Sequence, residues 1–136
     1  MPEKFSFETM IPIRITDLNY GAHVGNDTVL SILHEARVQF LENAGYGEFN
    51  FGGLSLIMSD VAIQFKSELF YGERLIASVA AQEFSRSTFE VYYKLEKESD
   101  GKKTIVAMAK TGMVCYNYSA KRIAAIPEEV KRKLSN

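Results

Sequence analysis

Residues 28–45 read TVLSILHEARVQFLENAG. Val29, Leu33, Ala36, Phe40 and Ala44 recur at helical spacing, and Leu30 and Leu41 widen the stripe, which predicts one helix of about five turns with a single apolar face. Gly45 follows the last periodic residue, where glycine closes helices by adopting the left-handed backbone. At the other end stand Gly25, Asn26 and Asp27, any of which can cap the helix start. This long segment decides the fold because its neighbours are strands, and its apolar stripe has to lie on a sheet.

The strand before it is FSFETMIPIRI, in which Pro12 points to an edge position because proline cannot donate to a ladder. After it, residues 54 to 118 read as strands throughout. SLIMSDVAIQF holds Ile57, Val61, Ile63 and Phe65 on one parity, and GERLIASVAAQEF follows a turn at Tyr71-Gly72. STFEVYYKLEKE alternates Phe89, Val91, Tyr93 and Leu95 with polar partners, and KTIVAMAKTGMVCYNY follows the turn Ser99-Asp100-Gly101. The last three are expected to form an antiparallel meander. IPEEVKRKL starts a short helix at Pro127, with acidic residues early and basic ones late, as the helix dipole prefers. The order β, long α, four β, short α is α+β, a single domain over 1–136 with an antiparallel sheet on one long helix. Leu33, Ala36, Phe40, Ile57, Ile63, Val91 and Val114 are the expected core.

The bulk numbers exclude several classes of function. Sixteen Lys and Arg against 17 Asp and Glu give a net charge of -1, without the basic field that drives non-specific nucleic-acid binding. The single cysteine cannot form an intramolecular disulfide, and MPEKFSFETM lacks the basic region and apolar run of a signal peptide. No apolar stretch approaches the roughly 18 residues of a membrane span, so a cytoplasmic protein is expected. His23 and His34 are the only histidines and there are no cysteine pairs, too few usual ligands for a structural zinc. No GxGxxG or P-loop pattern occurs, so neither a metal nor a nucleotide cofactor is expected. Cys115, between Val114 and Tyr116 in a strand, reads as a small core residue.

Chemistry concentrates in DLNYGAHVGND, residues 17–27, between the first strand and the helix. Turn formation accounts for the Asp, Asn and Gly residues, but not for His23. Together with Asp17-Leu18-Asn19, His23-Val24-Gly25-Asn26, Glu35-Ala36-Arg37, Tyr71-Gly72-Glu73 and Ile126-Pro127, the chain resembles the hotdog-fold acyl-thioester hydrolases of the 4-hydroxybenzoyl-CoA thioesterase branch, with a loop similar to that of plant acyl-ACP thioesterases. The resemblance covers nearly the whole chain. It implies a curved antiparallel sheet wrapping a central helix, a homodimer or homotetramer, and an acyl-CoA or acyl-carrier-protein thioester as substrate at a site shared between protomers. It also marks two departures: Asn19 stands where many relatives carry a catalytic Asp, and Gly21 where the plant-type loop carries an Asn.

Each candidate side chain has two roles open to it. His23 either polarises a carbonyl or moves a proton, or simply bonds to loop backbone. Asn26 either orients water or substrate, or caps the helix. Asn19 is a turn residue or a hydrogen-bond donor in place of the missing Asp, and Asp17 lies beside it as a candidate substrate contact. Glu35 shares a polar helix face with Ser31, Gln39 and Glu42. In the resemblance that helix carries the catalytic carboxylate of some branches; otherwise the face is solvated. Asp60 interrupts an apolar strand and either meets the site from a neighbouring protomer or lies on the wet side of the sheet. Two functions remain open: thioester hydrolysis, with helix-start N–H groups polarising the carbonyl and Glu35 helping a water attack, or a non-hydrolytic acyl-thioester binding or regulatory protein that has lost the loop carboxylate.

Overall fold

The computed structural model describes residues 1–135. The chain runs β1 (Phe7–Pro12), a 3-10 turn (Ile15–Asp17), α1 (Asn26–Asn43), β2 (Ser55–Phe65), β3 (Arg74–Gln82), β4 (Thr88–Ser99), β5 (Lys102–Asn117), β6 (Arg122–Ile123) and α2 (Glu128–Ser135). The antiparallel sheet has the order β1-β3-β4-β5-β2, with the short β6 added to β5. The meander β3-β4-β5 is as expected, and β1 is an edge strand whose Pro12 closes its pairing with β3 opposite Arg74. β2 lies beyond β5 and forms the other edge.

Helix α1 lies on one face of this sheet. Val29, Ile32, Leu33, Ala36, Phe40 and Leu41 join one core with Leu75, Ala77 and Val79 of β3, Phe89, Val91, Tyr93 and Leu95 of β4, and Ala107, Ala109, Met113 and Cys115 of β5. The core continues past the end of the helix through Phe51, Ile126, Val130 and Leu134. The stripe differs from the periodic expectation at two places: Ile32 is buried and Leu30 is exposed. The end of the helix follows the glycine rule, since Gly45 has φ +88° and donates its N–H to the Glu42 carbonyl.

Arg37 is also buried, on a helix face that periodicity would make apolar. Its guanidinium donates to the Tyr93 hydroxyl at 3.1 Å, and that hydroxyl lies 2.7 Å from Thr111 Oγ1. Arg37 Nε faces Glu48 Oε1 at 3.5 Å, an ion pair without hydrogen-bond geometry, and His34 Nε2 lies 2.8 Å from the same oxygen. Burial pushes the Tyr93 hydroxyl above its ordinary pKa against the opposing Arg37 charge, so it stays a neutral partner.

The expected core loses Ile57 and Val114, the first of them through a β-bulge. The β2–β5 register shifts between Met58 and Asp60, leaving Ser59 as an extra residue. Leu56 pairs with buried Cys115 before the bulge, and Val61 and Ile63 pair with buried Thr111 and Ala109 after it, so all three point to the helix face. Ile57 pairs with Val114, and both sit half-buried on the outer face. A one-residue shift reverses every side chain beyond it. Val61 and Phe65, on the helix face but beyond the cover of the helix, are exposed.

The two faces are separable by mutation. Leu33→Ala, which opens a cavity at a fully buried site, should cost about 3 kcal/mol, and Ile57→Ala on the outer face about 1 kcal/mol. Urea unfolding of both variants measures this, and equal losses would contradict the bulge register.

Candidate active site

The loop between β1 and α1 is built by local hydrogen bonds. Asp17 ends the 3-10 turn and is buried. It accepts from the Arg14 backbone N–H at 2.8 Å and from the Arg14 guanidinium at 3.2 and 3.4 Å. Burial pushes its carboxyl up, but the Arg14 hydrogen bonds and charge together outweigh this and hold it below the ordinary carboxylate range. Asp17 is thus committed to anchoring the loop. Arg14 is passed over in the sequence, where its one signal is an opposite charge three residues before Asp17.

Leu18 and Val24 then pair as an antiparallel bridge and close a tight hairpin. Asn19 donates its N–H to the His23 carbonyl at 2.9 Å, accepts the Ala22 N–H at 3.0 Å, and takes the Gly21 N–H on its side-chain Oδ1 at 2.8 Å. Ala22 completes the turn at φ 66°, and Tyr20 at the tip is fully exposed. Asn19 therefore serves the turn. A Cβ on Gly21 would lie 3.2 Å from Asn19 Oδ1 and 3.4 Å from His23 Nε2, so the missing side chain leaves the place where those two groups meet. Asn19 and His23 thus meet across the turn.

His23 is held from the far side by the segment before β3. It bridges Phe70 through the backbone, and the two rings meet edge to face at 6.4 Å. Phe70 is fixed in turn: its N–H donates to Glu73 Oε1 at 2.7 Å, Gly72 turns at φ +86°, and Lys97 pairs with Glu73 at 3.3 Å while lying over the Phe70 ring. The Tyr71-Gly72-Glu73 motif thus builds the wall behind His23.

The helix start corrects the role of Asn26. Gly25 is the N-cap, with φ −74° and ψ 159°, no side chain caps the helix, and Asn26 is the first helical residue. Helical bonding begins with Thr28 and Val29, both donating to the Gly25 carbonyl. The N–H groups of Asn26 and Asp27 stand ahead of that ladder, at the positive end of the helix dipole. A Cβ on Gly25 would lie 2.6 Å from Asp27 Oδ1, so the close approach there requires glycine. Beside these amides is a cavity of about 260 Å³ lined by His23, Asn26, Val29, Phe65, Lys66 and Leu69, among others.

Glu35 is elsewhere. It lines a second cavity, of about 310 Å³, with Arg14, Asp17, Ser31, Ile32 and Gln39. Its Oε2 accepts from Gln39 Nε2 at 2.7 Å, and Gln39 Oε1 accepts from the Thr9 hydroxyl at 2.5 Å. Asn26 and Glu35 are nine residues apart, which on a helix is about 13 Å along the axis and half a turn out of phase. Asp60 is not part of either cavity. It lies on the outer face opposite Gly112, where the space for a Cβ is taken by its carboxylate, and Ser59 Oγ donates to it at 2.9 Å. That places it on the side of the sheet away from α1.

The helix laid on an antiparallel sheet, with a polar loop feeding the helix start, is the hotdog fold of thioester hydrolases. The family model of the thioesterase-like superfamily matches residues 13–134. A 1,4-dihydroxy-2-naphthoyl-CoA hydrolase of Microcystis aeruginosa is 30% identical over 134 residues, covering 94% of this chain and 91% of the relative. A solved 1,4-dihydroxy-2-naphthoyl-CoA thioesterase from Synechocystis is similar with TM-score 0.83 and 19% identity, covering 94% of each chain. The 4-hydroxybenzoyl-CoA thioesterase of Pseudomonas sp. strain CBS-3 is similar in fold with TM-score 0.84 and 14% identity, covering 96% of this chain and 99% of that one. The chain belongs to the thioesterase-like superfamily, and its reaction class is thioester hydrolysis.

The Arg14–Asp17 anchor carries a pH signature. A carboxyl held below its unfolded pKa adds stability at neutral pH, and that contribution is lost as pH falls below about 4 through the folded value. Asp17→Asn should therefore lower the thermal midpoint at pH 7 and narrow the gap to wild type by pH 3. Parallel midpoint curves for the two proteins would contradict the anchoring role.

Proposed function

We propose that the chain hydrolyses an acyl-CoA thioester at a site that two copies complete. The N–H groups of Asn26 and Asp27 on one copy polarise the thioester carbonyl, with His23 orienting substrate beside them. Glu35 of the second copy is the general base: it takes a proton from water, the hydroxide adds to the carbonyl carbon, the C–S bond breaks, and the departing thiolate recovers the proton. The products are the free acid and coenzyme A thiol.

One observation carries this reading. The helix-start amides and Glu35 face different cavities on different sides of α1, too far apart to act on one carbonyl from the same helix. The carboxylate that the same copy offers to the cavity beside the amides is Glu68, exposed on the segment after β2, and in this reading a second copy supplies Glu35. The edge strand β2 supports the pairing, since Met58, Val61 and Phe65 are exposed along it. Coenzyme A is favoured over a carrier protein because the relatives named above act on CoA thioesters. An aryl acyl group fits the same pattern: Val29, Phe65, Leu69 and Val106 give that cavity apolar walls.

Glu35→Gln keeps the shape and removes the base, and should slow turnover about 100-fold on the best substrate of an aryl- and alkyl-CoA panel. His23→Ala should cost less, and Asn19→Asp should leave the rate unchanged or raise it. Full turnover by folded Glu35→Gln would sink the assignment of the base.

The sharing of the site has its own test. Asn26→Pro deletes one polarising N–H where proline suits both the first helical position and the extended Gly25 before it. Mixing this variant with Glu35→Gln should restore about a quarter of wild-type activity, because half the dimers then hold one intact site. Sedimentation should give at least a dimer at micromolar concentration. A monomer, or no recovery on mixing two folded and inactive variants, would refute the shared site.

A further inference from the structure

We propose that Gln39 is a positioning residue for Glu35, with its amide tied to the neighbouring strand by the Thr9 hydroxyl. The inference rests on the reading of Glu35 as the base. A lone Glu and Gln one helical turn apart would be an ordinary surface pair of little consequence. Here a third group, from a different element, joins them: Thr9 on β1 touches Gln39 at 2.5 Å, and Gln39 touches Glu35 at 2.7 Å.

The chemistry of the three groups allows one direction of donation. An ionised carboxylate only accepts, so the Gln39 atom facing it must be the Nε2 amide nitrogen. That leaves Gln39 Oε1 toward Thr9, and a carbonyl oxygen also only accepts, so the Thr9 hydroxyl donates. Reversing the amide would set its oxygen against the Glu35 carboxylate and lose that bond, while the Thr9 hydroxyl, which can also accept, would still tie the amide to the strand. Gln39, tied to the strand by Thr9, thus holds one carboxylate oxygen of Glu35 and leaves the other for the attacking water. Arg14 and Asp17 share the same cavity but are bound to each other. Gln39, half-buried between strand and helix, is the group that hydrogen-bonds Glu35.

This placement makes an energetic demand that a merely structural pair would not. Holding a base in its productive rotamer raises kcat with little effect on substrate binding, so its loss should appear in kcat and not in KM. Thr9→Val keeps the shape of the side chain and suits a strand, while Thr9→Ser keeps the hydroxyl.

The test is steady-state kinetics on the best acyl-CoA of the panel, with folding checked by circular dichroism and thermal melting. Thr9→Val and Gln39→Leu should each lower kcat about tenfold with KM within about twofold, and Thr9→Ser should retain wild-type kcat. In a Glu35→Gln background neither substitution should lower kcat further, because there is no base left to position. If Glu35→Gln is slow while Thr9→Val and Gln39→Leu, both folded, turn over normally, the positioning role is wrong and the base assignment stands. Equal losses with and without the Glu35 carboxylate would also overturn it. Full turnover by Glu35→Gln removes the base assignment itself.

Discussion

The phase of α1 on the sheet is the constraint on which the rest depends. A helix of 18 residues with one apolar stripe must set Leu33, Ala36 and Phe40 down on the sheet, and once it does, the direction of every other helical side chain is determined. Asn26 at its start and Glu35 further along are then turned to different sides. The helix also fixes where its unbonded N–H groups point, because they lie on its axis at the end where the loop arrives. Packing of an apolar face has thus divided the polar groups of the chain between two cavities.

The same interface tolerates a buried charge because several elements share it. Arg37 points into the core, where an unpaired guanidinium would be costly. Tyr93 from β4, Thr111 from β5 and Glu48 from the loop after α1 surround it, and His34 reaches Glu48 from the solvent side. Replacing one partner of such a set leaves the others unsatisfied, so the network constrains how α1 sits along the strands.

The loop shows how small residues let polar groups converge. Gly21 leaves room for the Asn19 carboxamide and the His23 ring, and Gly25 lets Asp27 close over the helix start. The Asn19 side chain is used to hold the turn. In the proposed site the hydrolytic carboxylate therefore comes from the helix, and the loop contributes His23 and backbone N–H groups. Phe70 and Glu73, distant in the chain, complete the wall of that loop.

Periodicity and turn residues by themselves determined the elements: one long helix ended by Gly45, strands matching SLIMSDVAIQF and its successors, an edge strand at Pro12 and a short helix after Pro127. These are local properties, set by which residues repeat at helical or strand spacing and which break it. The two-residue β6 escaped because so short a strand carries no period. The orientation of Ile57 escaped because a bulge at Ser59 shifts the alternation within β2, and that of Val114 because β5 carries apolar residues on both parities. The candidate site divides in the same way. His23, Asn19 and Asn26 were legible because they crowd one short loop, and Glu35 because it lies on the polar face of the helix. That Asp17 is spent on Arg14 is a local contact across one 3-10 turn, whereas that Asp60 lies on the far face of the sheet and that Thr9 reaches Gln39 across thirty residues were decided only by tertiary structure. Such contacts depend on strand order and helix phase, which bring together residues whose separation in the chain has no period to reveal it.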